Sequence, residues 1–229
     1  MGNRILRRSC LIINLLLAVF VLALTTQAIG QTATDGTVTI NGGRNAIFVR
    51  PPVYTISPAN SLPAGVITIY SNLGKGNQTY NAIAGVGILG PNVPGQPLPQ
   101  SVGTAFTPSQ DHLIQAVQVG ATYVQGSNGV IVSLNEDSNG VPGKQLAAKT
   151  FTNLPLFGTC CTLLTGKGAS GIPVKAKTQY WVVLRPIAND TYCVWNDNYK
   201  GIQGTWANNT GQGWHSSFQV LESMGVYGK

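Results

Sequence analysis

The chain has 229 residues, with 14 Lys and Arg against 7 Asp and Glu, a formal net charge of +7, and charged residues making up only 9% of the whole. Three of the arginines, Arg4, Arg7 and Arg8, sit in the first eight positions; without them 11 basic residues face 7 acidic ones and the net falls to +4. The other lysines and arginines are scattered from Arg44 to Lys229 with no run or stripe, which excludes the electrostatic footprint of a nucleic-acid binder.

The leading arginines precede an uncharged apolar run from Cys10 to Leu24 that is short for a bilayer span. Residues 1–30 therefore read as a signal peptide, with small residues suited to cleavage near Ile29 or Gln31. The expected location is secreted, extracellular or periplasmic, with no transmembrane segment after cleavage. Residues 31–65 read as an extension or linker: Pro51, Pro52, Pro58 and Pro63 punctuate it, and "TVTI" and "AIFV" around Asn41-Gly42-Gly43 predict one hairpin.

The main domain is placed at 66–229. It opens on "GVITIYSNLG", and a Pro-rich loop, "GPNVPGQPLP", follows at 90–99. Strand signals then arrive at short intervals: "VGTAFTP", "HLIQAVQVGATYV" as one period-two segment, "GVIVSLNED", "KQLAAKTF", "TCCTLL", "QYWVVLRP", "TYCVWND", "GIQGTWAN" and "WHSSFQVLES". No stretch of ten residues has a helical period. The predicted fold is all-β, an antiparallel two-sheet sandwich of jelly-roll-like kind.

Two G-x-G-x-x-G matches, "GVGILG" at 85–90 and "GKGASG" at 166–171, are each followed by a proline, at Pro91 and Pro173, and open no helix that could receive a pyrophosphate. Both read as glycine-rich strand or loop. Asn135, Asp137 and Asn139 form an oxygen-rich run that could hold Ca²⁺, but the D-x-D-x-D-G alternation is missing. Asn139-Gly140 suits a β-turn with positive φ, which is the plainer reading. No other cofactor is expected.

In an oxidising compartment Cys160, Cys161 and Cys193 should pair, and adjacent cysteines lack the spacer of a C-x-x-C metal or redox site. A bridge from Cys193 to either neighbour is the first expectation. A vicinal Cys160–Cys161 ring and free buried thiols are the alternatives. All four tryptophans, Trp181, Trp195, Trp206 and Trp214, fall close together with Tyr199, Asn196 and Asp197. Two readings stand: the rings fill the core, or they form a platform for sugar faces with polar neighbours at its rim. A glycosidase would need Glu136 or Asp137 partnered by Asp190, Asp197 or Glu222 at short range. There is no G-x-S-x-G and no H-E-x-x-H.

"TIYSNLG", "VSLNEDSNGVPGKQL", "TQYWVVLRP" and "YCVWN" together resemble the bacterial choice-of-anchor domains, most nearly the R type, over roughly Val66 to Lys229. The resemblance implies an exported β-sandwich module at the cell surface or outside it, and assigns no activity or site residues. The sequence ends at "SMGVYGK" with no apolar tail or sorting box, so free secretion or periplasmic residence is expected. The functional expectation is a non-enzymatic module acting by surface interaction, with a glycan or cell-envelope polymer as partner. A small extracellular hydrolase acting on carbohydrate and a structural or matrix protein are the rivals.

Overall fold

The computed structural model describes residues 36–40, 44–48 and 61–229; the expected signal peptide and most of the expected linker lie outside the described residues. β1 (Gly36–Ile40) and β2 (Arg44–Phe48) pair antiparallel, Gly36 opposite Phe48, which is the hairpin that the two short apolar segments predict. Among the described residues every regular element is a strand, apart from one 3-10 turn at Gly76–Gln78.

Thirteen further strands build an antiparallel sandwich. β14 (Trp214–Val220), β13 (Gln203–Asn209), β5 (Ser101–Phe106), β11 (Tyr180–Pro186), β8 (Gly129–Ser138) and β9 (Val141–Thr152) form a six-stranded sheet in that order. Opposite it, β10 (Leu164–Val174), β6 (His112–Val119), β15 (Met224–Gly228) and β3 (Ile67–Ser71) make a four-stranded sheet, and β4 (Gly85–Leu89), β12 (Tyr192–Asn196) and β7 (Ala121–Gln125) a three-stranded one. Both glycine-rich segments are strands: the first is β4 and the second lies within β10.

Alternation assigns the faces. Tyr180, Val182 and Leu184 of β11 join Val102 and Phe106 of β5, Val130, Val132 and Leu134 of β8, and Trp195 of β12 in the main core. Removing those side chains from water is the chief driving force here, on the order of 2 kcal/mol for each large one. Trp181, Val183, Ala105 and Ala207 point to the other face of the six-stranded sheet, where they form a second cluster with Trp214 packed against it. A third cluster, Leu89, Val93, Phe157, Tyr192 and Val194, lies with the three-stranded sheet. Because sheets are covered on both faces, runs such as "YWVVL" are buried along their whole length, as in sheets with no wet side.

Two corrections concern strand boundaries. "HLIQAVQVGATYV" is two strands in different sheets, divided at Gly120. A Cβ there would clash with Ser223 Oγ and stand 2.5 Å from Tyr80 Cδ1, so glycine lets the chain pass from one sheet to the next. "TCCTLL" is not a strand. Residues 153–163 run as a loop over the three-stranded sheet, with the Phe157 N–H donating to Tyr123 O at 2.8 Å and the Gly158 N–H to Ala82 O at 3.0 Å. β10 begins only at Leu164.

Candidate functional site

Most of the sequence-predicted platform is inside the protein. Trp181 and Trp195 are fully buried and Trp206 is 9% exposed, while Trp214 is half-buried. The rings therefore do not form an open sugar surface. Alternation does put Trp181 on the face opposite Val182 and Leu184, but that face is roofed. The β8–β9 hairpin curls over it, bringing β9 near β14 at the far edge, and a Cβ on Gly103 would stand 2.9 Å from Pro142 Cγ. Each buried indole N–H has an acceptor, as buried tryptophans require: Trp181 donates to Asp137 Oδ1 at 2.7 Å, Trp195 to Ser223 O at 2.9 Å and Trp206 to Glu222 Oε1 at 2.7 Å.

The amide assigned to the platform rim, Asn196, is structural too, as are two further buried amides, Asn198 and Asn72. Asn196 Oδ1 accepts from the Thr122 hydroxyl at 2.8 Å, and its amide donates to Asn81 O at 2.9 Å. Asn198 donates to Leu221 O at 2.6 Å and accepts from the Ile202 N–H at 2.8 Å. Asn72, which sequence reasoning did not single out, donates to Glu222 O and accepts from the Met224 N–H, both at 2.7 Å. These three buried amides satisfy the backbone where loops meet strand ends. Tyr199, 49% exposed, is the one platform residue with its ring largely in solvent.

The proposed calcium run is likewise occupied by protein donors. Asp137 accepts from Gln179 Nε2 at 2.7 Å, the Trp181 indole, and the Gly140 N–H at 3.0 Å. Burial pushes its carboxyl up, but the hydrogen bonds from Trp181, Gly140 and Gln179 together hold it below the usual aspartate range. Asn135 donates to Gly143 O at 2.8 Å and accepts from Ser133. Asn139 and Gly140, with φ of 56° and 81°, are the two central residues of the hairpin turn between β8 and β9, as an Asn-Gly type I′ turn demands. Among the described residues no three His, Cys, Asp or Glu side chains gather into a metal-ligating group.

The first expectation for the cysteines is overturned. The sulfurs of Cys160 and Cys161 are bonded to each other, and Cys193 is a free, buried thiol in the main core. Because Cys160 and Cys161 lie in the loop, the opposite-faces argument for a strand does not apply to them. Burial pushes the Cys193 thiol up to about 12, with a weak contact from Sγ to Gly129 O at 3.6 Å.

Of the carboxylates weighed for hydrolysis, the structure brings together Asp197 and Glu222. They face one another in an isolated antiparallel bridge and are 6% and 0% exposed. Glu222 Oε2 lies 2.5 Å from Thr104 Oγ1, and Oε1 receives the Trp206 indole. Burial pushes Glu222 up to about 8, with the Asp197 charge adding to the rise and the hydrogen bonds opposing it. Glu136 lies on the rim of β8, Asp137 under the hairpin, and Asp190 is exposed with the Ser127 hydroxyl donating to it at 2.7 Å. None of these three meets a second acid.

The opening that sequence reasoning missed lies between the edges of the two large sheets. Ile114 and Ala116 of β6, Val132 and Leu134 of β8, Phe151 of β9 and Ile172 of β10 line an apolar cleft with a cavity volume of about 100 Å³ that opens to solvent. Gly166 narrows one wall to bare backbone, and Lys149 and Lys167 stand at the rim. A second, more polar recess is bordered by Tyr70, Phe106, Gln179 and Gln203. Neither recess is lined by Asp197 or Glu222. The signal that could have found the cleft is a period-two lysine among core positions of an edge strand, in "LAAKTF". No helix among the described residues is long and apolar enough to cross a membrane. No family model matches this sequence, and no curated protein or solved structure matches it.

Proposed function

We propose that the chain is an exported, non-enzymatic β-sandwich module that works by binding at its surface. The observation that carries this reading is where the acids lie. Among the described residues the pair of acids brought together, Asp197 and Glu222, is sealed inside the sandwich and borders neither recess, whereas glycoside hydrolysis needs two carboxyls flanking a bound sugar. The resemblance to exported choice-of-anchor modules supports the same reading. A glycan or envelope polymer is the favoured partner class, held on exposed residues such as Tyr199 and on the half-buried Trp214, and not on the three buried rings.

A second reading, a small carbohydrate hydrolase, draws on Glu222 itself. A carboxyl kept protonated to about 8 beside an acid is the arrangement that general-acid chemistry uses. The test is to incubate the purified chain with insoluble peptidoglycan, chitin and cellulose. Retention on one of them without release of reducing ends, weakened by Tyr199→Ala or Trp214→Ala, is expected. Release of reducing ends that stops in Glu222→Gln would replace the binding module by the hydrolase. Absence of both retention and release would leave the structural or matrix role.

A further inference from the structure

The cleft between β9 and β10 combines two features that water does not favour together. Its walls are apolar, formed by Ile114, Ala116, Val132, Leu134, Phe151 and Ile172, yet it is open to solvent. An apolar concavity with a few polar groups at its edge is the usual form of a ligand site. Its rim carries two cations and no acid.

Register shows how the cations are placed. Lys149 lies opposite Val132 in the β8–β9 ladder, between Ala147 and Phe151, which lie opposite Leu134 and Val130. Residues paired across an antiparallel ladder share a face, so Lys149 belongs to the core face of its edge strand. Lys167 lies opposite the buried Ala116 in the β10–β6 ladder, just before the bulge that ends at Ile172. Each lysine thus occupies a core-facing position on the outermost strand of its sheet. Both lysines line the same cleft. Lys149 Nζ stands 5.5 Å from the Phe151 ring centre, so its stem lies along the apolar wall and its charge at the opening.

An inward lysine on an edge strand also discourages edge-to-edge pairing. That explains one lysine on one edge. It does not explain why two edges in different sheets bring their cations to one apolar opening. Among the described residues the one ion pair is Lys175 with Asp111, so neither rim lysine has an acidic partner there.

We propose that this cleft binds a single-chain amphiphile with an anionic head, a free long-chain fatty acid, with the acyl chain between the sheets and the carboxylate between Lys149 and Lys167. The apolar walls supply affinity by burial of methylene groups. The two cations select the sign of the head group.

The experiment is a titration of the purified chain with laurate, dodecanol and dodecyltrimethylammonium, each below its micelle concentration, read by calorimetry and by the shift in melting temperature. One saturable site is expected for laurate, with the cationic amphiphile at least tenfold weaker. Replacing both lysines, Lys149→Gln with Lys167→Gln, should weaken laurate by about tenfold and leave dodecanol unchanged. Gly166→Leu should remove binding of both. A Cβ at Gly166 meets Phe151 Cζ at 3.6 Å, ordinary contact, so the new side chain fills the cleft without moving the backbone. An unchanged melting curve for the unliganded Gly166→Leu variant confirms that it folds. Equal affinity for the anionic and cationic amphiphiles, laurate binding that survives Gly166→Leu, or binding to phosphatidylglycerol vesicles with none to monomeric laurate would each overturn the proposal.

Discussion

Trp206 donates its indole N–H to Glu222 Oε1 at 2.7 Å, tying the ring of β13 to the one glutamate sealed in the sandwich. Since burial raises this carboxyl to about 8, the folded chain holds a proton that the unfolded chain releases near 4.5. Stability is therefore full below 4.5 and falls as the pH rises towards 8, by about 1.4 kcal/mol for each pH unit within that window. Glu222→Gln keeps a donor and an acceptor for Thr104 and Trp206 but cannot ionise. Urea melts across the window should slope downward for the parent and be nearly flat for the variant, which becomes the more stable of the two at the alkaline end.

Asp137 holds the roof over Trp181. Asp137→Ala leaves the Trp181 indole, Gln179 and the Gly140 N–H without their acceptor, and the expected loss is about 3 kcal/mol. The carboxylate oxygens are already committed to these donors, so added calcium chloride should leave the melting temperature of the parent unchanged. A calcium-dependent rise that disappears in Asp137→Ala would show that the turn opens to take a cation.

Gly120 is the passage between two sheets. Gly120→Ala forces a Cβ against Ser223 Oγ and the Tyr80 ring, both fully or almost fully buried. Overpacking at such a site should cost about 2 kcal/mol. Chemical denaturation of this variant beside Gly168→Ala, where the added carbon meets open space, separates the clash from the general effect of replacing a glycine.

Cysteine labelling distinguishes the observed pairing from the one first expected. In the folded chain Cys193 should resist iodoacetamide, because it is buried and its thiol is held neutral up to about 12. After unfolding without reductant, peptide mapping should find Cys193 alkylated and Cys160 and Cys161 unmodified. Alkylation at Cys160 or Cys161, with Cys193 protected, would point to a bridge involving Cys193.

The sandwich was legible because period-two patterning and turn residues are local signals. "QYWVVLRP" and "TYCVWND" became β11 and β12 almost residue for residue, and Asn139-Gly140 marked its hairpin. Where legibility failed, a distant contact decided the outcome. Nothing near Trp181 in sequence reveals that Pro142 and Asp137 return to cover it. Nothing in "VGA" reveals that Gly120 must clear Tyr80, forty residues upstream. β15 escaped notice because two of its five residues are glycine, yet all five are buried between β6 and β3. The cysteine pairing followed from the loop, and the loop from backbone bonds to Tyr123 and Ala82 that sequence spacing does not encode.

The seat of β15 has a consequence for the order of assembly. Gly225 pairs with Ser71 and Met224 with Val119, so the segment at 224–228 joins two strands that are made long before it. During vectorial synthesis β3 and β6 have no direct ladder to one another and must wait for that late insertion. Such wide sequence separation slows closure. A nascent chain halted short of Met224 would leave β3 without a neighbour and one edge of β6 bare, open to pairing with another chain until its last strand arrives.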